Sequence, residues 1–284
     1  MKKEEIEIST SRGNKLSATI FTPSDNIKGA IMLAPATGIK KSFYAAFASY
    51  LAKNNFAVIT FENEGIGKSL DGAIKACKAS LQSWGEVDMV AILEELKIRF
   101  PNEKYHLIGH SAGGQLVGLM RNHSDLSSMF NYACSSGRTV NMSFFNYIKA
   151  SFFMNVFIPI NNFTFGYTNT QWIGMGEPLP KNVAREWAEW CNGKGYVKTA
   201  FGKTIKEHWY NELEIPSFWV NATDDFIANK KNVADMKVVF PHLQLREKTL
   251  NPKELGKNEI GHMKFFSRRN KDLWSLALDW LNEQ

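Results

Sequence analysis

Five consecutive residues, Gly109-His110-Ser111-Ala112-Gly113, set a serine hydroxyl between two glycines in the order G-x-S-x-G. A serine at that spacing can attack an acyl carbonyl if it sits on a sharp turn from strand to helix. Flanking glycines let the two elements approach without Cβ clashes. The N–H of the next residue, Ala112, then points from a helix N-terminus at the oxygen that gains charge. Such a pattern also occurs in turns that merely join a strand to a helix. Here it directly follows the apolar run Tyr105-His106-Leu107-Ile108 and precedes helical spacing from Ala112 to Arg121, which favours the nucleophile. His110 is not the expected base, because neighbours across a tight turn point apart.

The elements that must hold Ser111 are legible around it. Glu5 to Ser9 alternates polar and apolar residues and pairs as a hairpin with Leu16 to Thr22. Ala30–Ala34 and Phe56–Phe61 are continuous apolar runs, as strands buried on both faces are. Met129–Cys134, Ser217–Asn221 and Leu243–Leu250 read as further strands. Helical spacing covers 41–53, 84–100, 230–236 and 271–281. Repeated strand–helix units predict an α/β fold, a mostly parallel central sheet flanked by helices with an antiparallel hairpin at one edge.

With these elements in place, the chain resembles an α/β-hydrolase over nearly its full length. More narrowly it is similar to a group of uncharacterised bacterial predicted α/β-hydrolases. The segments carrying the likeness are 34–38 (APATG), 61–69 (FENEGIGKS), 109–114 (GHSAGG), 174–180 (GMGEPLP) and 261–266 (GHMKFF). The second segment departs from the group, which more usually has Asp and Arg where Glu62 and Glu64 stand.

The resemblance implies a triad in the chain order Ser, acid, His. His106 and His110 precede Ser111, His123 falls in the helix after it, and His208 precedes any late-strand acid. His242 starts a strand, at the sheet edge opposite the active site. His262, between the last strand and the last helix, is the expected base. The acid should follow a late strand, and no Asp or Glu occurs between Leu126 and Gly176. That leaves Asp224 or Asp225. Asp225-Phe226-Ile227 fits the usual hydrolase ending, so Asp225 is preferred, with Asp224 capping a helix or bonding to the loop. The oxyanion hole would use the N–H of Ala112 and that of Ala36 or Thr37; Pro35 has none.

Between Ser111 and Asp225 the strand–helix rhythm lapses. The expected division is a hydrolase core of 1–136 and 213–284 with an inserted cap of 137–212. Aromatic residues are about twice as frequent in that insertion as elsewhere, Phe144, Phe145, Phe152, Phe153, Phe163 and Trp172 among them. Most are expected to pack the cap's core and its contact with the main domain. The rest would line an apolar pocket for a small acyl or aromatic substrate. Docking to lipid is the weaker reading, because no clear amphipathic basic helix is evident.

Composition bounds the alternatives. The 284 residues carry a net charge of +6, in scattered pairs such as Lys2-Lys3 and Lys40-Lys41 that read as solvated surface. No basic run or motif for nucleic acid is present. Three distant cysteines, Cys77, Cys134 and Cys191, fit free thiols. No stretch is long and apolar enough for a membrane span, no signal peptide is visible, and a cytoplasmic protein is expected. No cofactor or metal motif appears, and triad chemistry needs neither. The sequence therefore predicts a serine hydrolase of carboxylic esters or thioesters. An acyltransferase on the same triad and a non-catalytic ligand-binding protein of the same fold are the alternatives. Oligomeric state is not readable.

Overall fold

A computed structural model describes residues 1–284. Eight strands form one sheet: β1 (Lys2–Ser9), β2 (Lys15–Thr22), β3 (Gly29–Ala34), β4 (Phe56–Phe61), β5 (Tyr105–His110), β6 (Leu126–Tyr132), β9 (Pro216–Ala222) and β10 (Gln244–Leu250). Their order is β1-β2-β4-β3-β5-β6-β9-β10. β1–β2 and β2–β4 pair antiparallel, and every later pair is parallel. The parallel strands β3 and β4 are wholly buried, as helices on both faces require. β1 and β10 close the edges with charged residues, among them Lys3, Glu5, Arg246 and Lys248, which discourages edge-to-edge pairing. One cluster of 76 buried residues makes the core.

The flanking helices include α1 (Ala45–Lys53), a longer helix of α2 (Leu81–Ser83), a π-helical turn (Trp84–Met89) and α3 (Val90–Arg99), then α4 (Ala112–Gln115). The chain leaves the sheet after Tyr132 and rejoins it at Pro216. In between lie α5 (Phe144–Phe152), a π-helical turn (Phe153–Phe157), α6 (Ile158–Thr164), the two-strand pair β7 (Tyr167–Thr168) and β8 (Leu179–Pro180), and α7 (Lys181–Asn192). α8 (Lys230–Lys237) follows β9, and α9 (Ser275–Asn282) ends the fold.

Three expectations need correction. The helix expected over 112–121 stops at Gln115 and continues as a 3₁₀ turn, Val117–Leu119; His123 lies in a separate short turn. Its carbonyls are taken from outside: Tyr210 Oη donates to Gln115 O at 2.7 Å and the Trp209 N–H to Gly118 O at 2.7 Å. The last helix is likewise 3₁₀ from Arg268 to Trp274, broken at Asn270, and α-helical only from Ser275. Lys41 is not solvated surface. It is buried, with Nζ donating to Glu5, to Ser17 Oγ at 2.8 Å and to Ala18 O at 2.9 Å. Those three acceptors compensate its burial.

Tyr210 also covers Gly118, where an added Cβ would lie 2.4 Å from the ring. A methyl group there forces ring or backbone to shift. Gly118→Ala should therefore lower stability by about 1–3 kcal/mol, read as a reduced midpoint in urea denaturation.

Candidate active site

Ser111 joins β5 to α4 at φ 50° and ψ −113°, a region L-residues rarely occupy and one that costs on the order of 1–3 kcal/mol. Sterics force the turn. A Cβ on Gly113 would lie 2.2 Å from the Ala34 carbonyl oxygen, and one on Gly109 would lie 2.5 Å from Gly114 Cα. Glycine at both positions lets β5, α4 and β3 close on one another, and Ser111 takes the strain at the apex. Its N–H stays in the sheet, donating to Tyr132 O at 3.0 Å. The Ala112 N–H starts α4 and finds no acceptor in the chain.

His262 sits on the loop between β10 and the terminal helical turns. Its Nδ1 lies 2.7 Å from Asp225 Oδ2. A carboxylate can only accept, so Nδ1 carries a proton, and in the neutral ring this tautomer leaves the lone pair on Nε2. Asp225 follows β9 and is 2% exposed. Its other oxygen accepts the N–H groups of Ile227 at 2.8 Å and Ala228 at 2.9 Å. Burial opposes ionisation, but the charge and hydrogen bond of His262 and those two N–H groups outweigh it and hold the carboxyl below its usual range. Asp224 points elsewhere: its oxygens accept the N–H groups of Ile260 at 2.9 Å and Gly261 at 3.0 Å. One Asp thus bonds the imidazole and its neighbour bonds the backbone that carries it. No hydrogen bond joins Ser111 Oγ to His262.

A second chain of bonds was not readable in the sequence. His110, fully buried, is pushed down to about 3 by burial and by neighbouring His262, so its ring is neutral. Nε2 lies 2.9 Å from the His262 carbonyl, which only accepts, so the ring proton is on Nε2. Nδ1 must then accept from Tyr44 Oη at 2.8 Å, and Tyr44 Oη accepts the Ala36 N–H at 2.9 Å. Three loops are tied in one direction: 34–38, the serine turn and the His262 loop. The bond also distinguishes the two N–H groups expected as alternatives in the 34–38 loop. The Ala36 N–H is already engaged, while that of Thr37 has no partner in the chain. Tyr44 carried no signal because its partners are 8 and 66 residues away in sequence.

Glu62 and Glu64, where the chain departs from its resembling group, have structural partners. Glu62 accepts the Lys68 N–H at 2.7 Å, and Glu64 lies 3.4 Å from Arg12. No group of three or more His, Cys, Asp or Glu residues is arranged to hold a metal ion.

Residues 25–128 match a family model described as serine aminopeptidase, S33. Solved structures similar to the chain include a soluble variant of monoglyceride lipase from Saccharomyces cerevisiae in complex with a substrate analogue. That likeness has 13% identity and a TM-score of 0.70, and covers 100% of this chain and 95% of that one. A highly thermostable carboxyl esterase from Bacillus coagulans in complex with glycerol has 14% identity and a TM-score of 0.65, over 100% and 99%. A thermophilic esterase from Thermogutta terrifontis has 14% identity and a TM-score of 0.62, over 99% and 98%. The chain has the α/β-hydrolase fold. No curated protein matches it by sequence.

In this fold the two bond systems can be probed by stability. Because the Asp225 carboxyl is depressed in the folded state, its stabilisation is fully present above the unfolded pKa and is lost as pH falls through the folded one. The stability gap between wild type and Asp225→Asn should therefore narrow as pH falls through that window, measured by urea denaturation at a series of pH values. Tyr44→Phe leaves a buried N–H and a buried imidazole nitrogen unpaired. It should cost about 1–3 kcal/mol, checked by the same denaturation at neutral pH.

Proposed function

We propose that this protein of α/β-hydrolase fold is a serine hydrolase of carboxylic esters or thioesters, with Ser111 as nucleophile, His262 as base and Asp225 as the group that orients it. The observation that carries the reading is a strained serine beside a helix N-terminus on the same sheet edge as a His–Asp pair whose Nε2 is free. The family match and the esterase and lipase neighbours support ester hydrolysis in general.

In this mechanism His262 Nε2 takes the Ser111 hydroxyl proton as Oγ bonds to the acyl carbon. The imidazolium that forms is stabilised by Asp225. The carbonyl oxygen becomes an oxyanion held by the N–H groups of Ala112 and Thr37. Collapse gives His262's proton to the leaving alcohol or thiol and leaves an acyl-Ser111 ester, which water cleaves through the same base. An acyltransferase would differ only in replacing that water. Residues 137–212 act as a cap on this site. Gly38 O accepts the Glu177 N–H at 2.8 Å, and a Cβ on Gly38 would lie 3.0 Å from Leu179, so the insertion rests on the loop that carries Thr37. A small apolar acyl or aromatic substrate fits a site beneath such a cover.

A fluorophosphonate probe tests the assignment. Wild type should label and Ser111→Ala should not; equal labelling of both refutes the nucleophile. Asp225→Asn should lower turnover of a p-nitrophenyl ester by roughly 10⁴-fold, because the imidazole tautomer is no longer enforced. Asp224→Asn touches only the backbone of the His262 loop and should cost far less.

A further inference from the structure

The aromatic residues of the insertion do not pack as its composition suggests. Phe153 and Trp190 are buried, but Phe144, Phe145, Phe152, Phe163, Phe165 and Trp172 are exposed. Phe144 is 70% exposed, Phe145 76% and Phe163 90%. Of the 19 exposed large hydrophobics in the chain, 12 fall between Phe144 and Met175. An apolar concentration of this kind marks an interaction surface.

Helix geometry makes it one face. Phe144, Ile148, Phe152, Val156 and Ile160 recur every four residues. In a regular α-helix that row would drift around the axis. The π-helical turn Phe153–Phe157 holds more residues per turn and so keeps the row on one side. The other side, with Phe153, Met154 and Ile158, is buried against the rest of the insertion.

Its chemistry is that of a lipid surface. The helical run satisfies its own backbone groups, which a hydrocarbon boundary demands. Between Leu126 and Gly176 there is no acidic residue, and the only charges are Arg138 and Lys149. A protein interface of this extent carries many hydrogen bonds and a charged rim of both signs, for which this face has few groups. Exposed lysines stand beside it: Lys149 on α5 and Lys75 against Gly166. The nearby acids are paired, Glu177 with Lys40 at 2.8 Å and Glu189 with Arg185 at 3.8 Å. Two copies meeting face to face would oppose these lysines, within chains of net charge +6. The basic border that the sequence hides is assembled from two separate segments.

We infer that the α5–α6 face of the insertion docks on an anionic lipid surface, with its aromatic row in the headgroup boundary and Lys75 and Lys149 on lipid charges. No helix is long and apolar enough to cross a membrane, so the contact is peripheral. The inference is independent of the ester that the site cleaves.

Sedimentation with vesicles tests it. Full-length protein should bind vesicles of phosphatidylglycerol and phosphatidylcholine about tenfold or more better than phosphatidylcholine alone, and lose that preference at high salt. Phe145→Asp with Phe163→Asp should abolish binding while leaving thermal unfolding and hydrolysis of a water-soluble ester unchanged; both residues are exposed, so folding is spared. Lys75→Gln with Lys149→Gln should remove the preference for anionic vesicles. Three results overturn the proposal: no binding to either vesicle, equal binding to both, or a wild-type dimer in light scattering that the double Asp variant splits.

Discussion

The structure hangs on a steric constraint at the top of the sheet. β3, β5 and α4 approach so closely that no Cβ fits at Gly109 or Gly113. The chain can pass from strand to helix there only through a left-handed residue, and that residue is Ser111. The strain is sustained because the surrounding contacts over-determine it: Ser111 keeps its sheet bond through N–H, and its carbonyl accepts from Gly114 and Gln115. The next N–H, that of Ala112, begins α4 without an acceptor in the chain.

Two hydrogen-bond systems then converge on the His262 loop. Asp225 holds the imidazole from the side of β9, and Asp224 holds the backbone at Ile260 and Gly261. His110 holds the His262 carbonyl from the side of the serine turn, and through Tyr44 reaches Ala36. Each buried polar group in this chain has one fixed role because each link can work in only one direction. His110, adjacent to the serine, is thereby a support for the loop of the other histidine and has no proton to spare for chemistry.

The insertion obeys a different constraint. Its helical run has too many apolar residues for the surface it can bury against the sheet domain. One side packs and the other faces out, with a π-helical turn keeping the exposed row aligned. What the composition presented as core is in large part surface. The same insertion also bonds back to the 34–38 loop, through the Glu177 N–H and Gly38 O.

The sequence by itself determined the strands and the order of the sheet's chemistry. β4 falls at Phe56–Phe61 as its apolar run predicts, because strands buried on both faces need continuous hydrophobicity. G-x-S-x-G between strand and helix, and the histidine after the last strand, are local patterns and were legible as such. Tertiary structure alone decided which N–H remains free at 36–37, where the helix after Ser111 ends, that Lys41 is buried, and which side of α5 meets solvent. Each of these depends on a partner supplied from elsewhere in the chain: Tyr44 for Ala36, Tyr210 and Trp209 for the helix, Glu5 and Ser17 for the lysine. Periodicity records which face of an element is apolar. It does not record what, if anything, arrives to cover it.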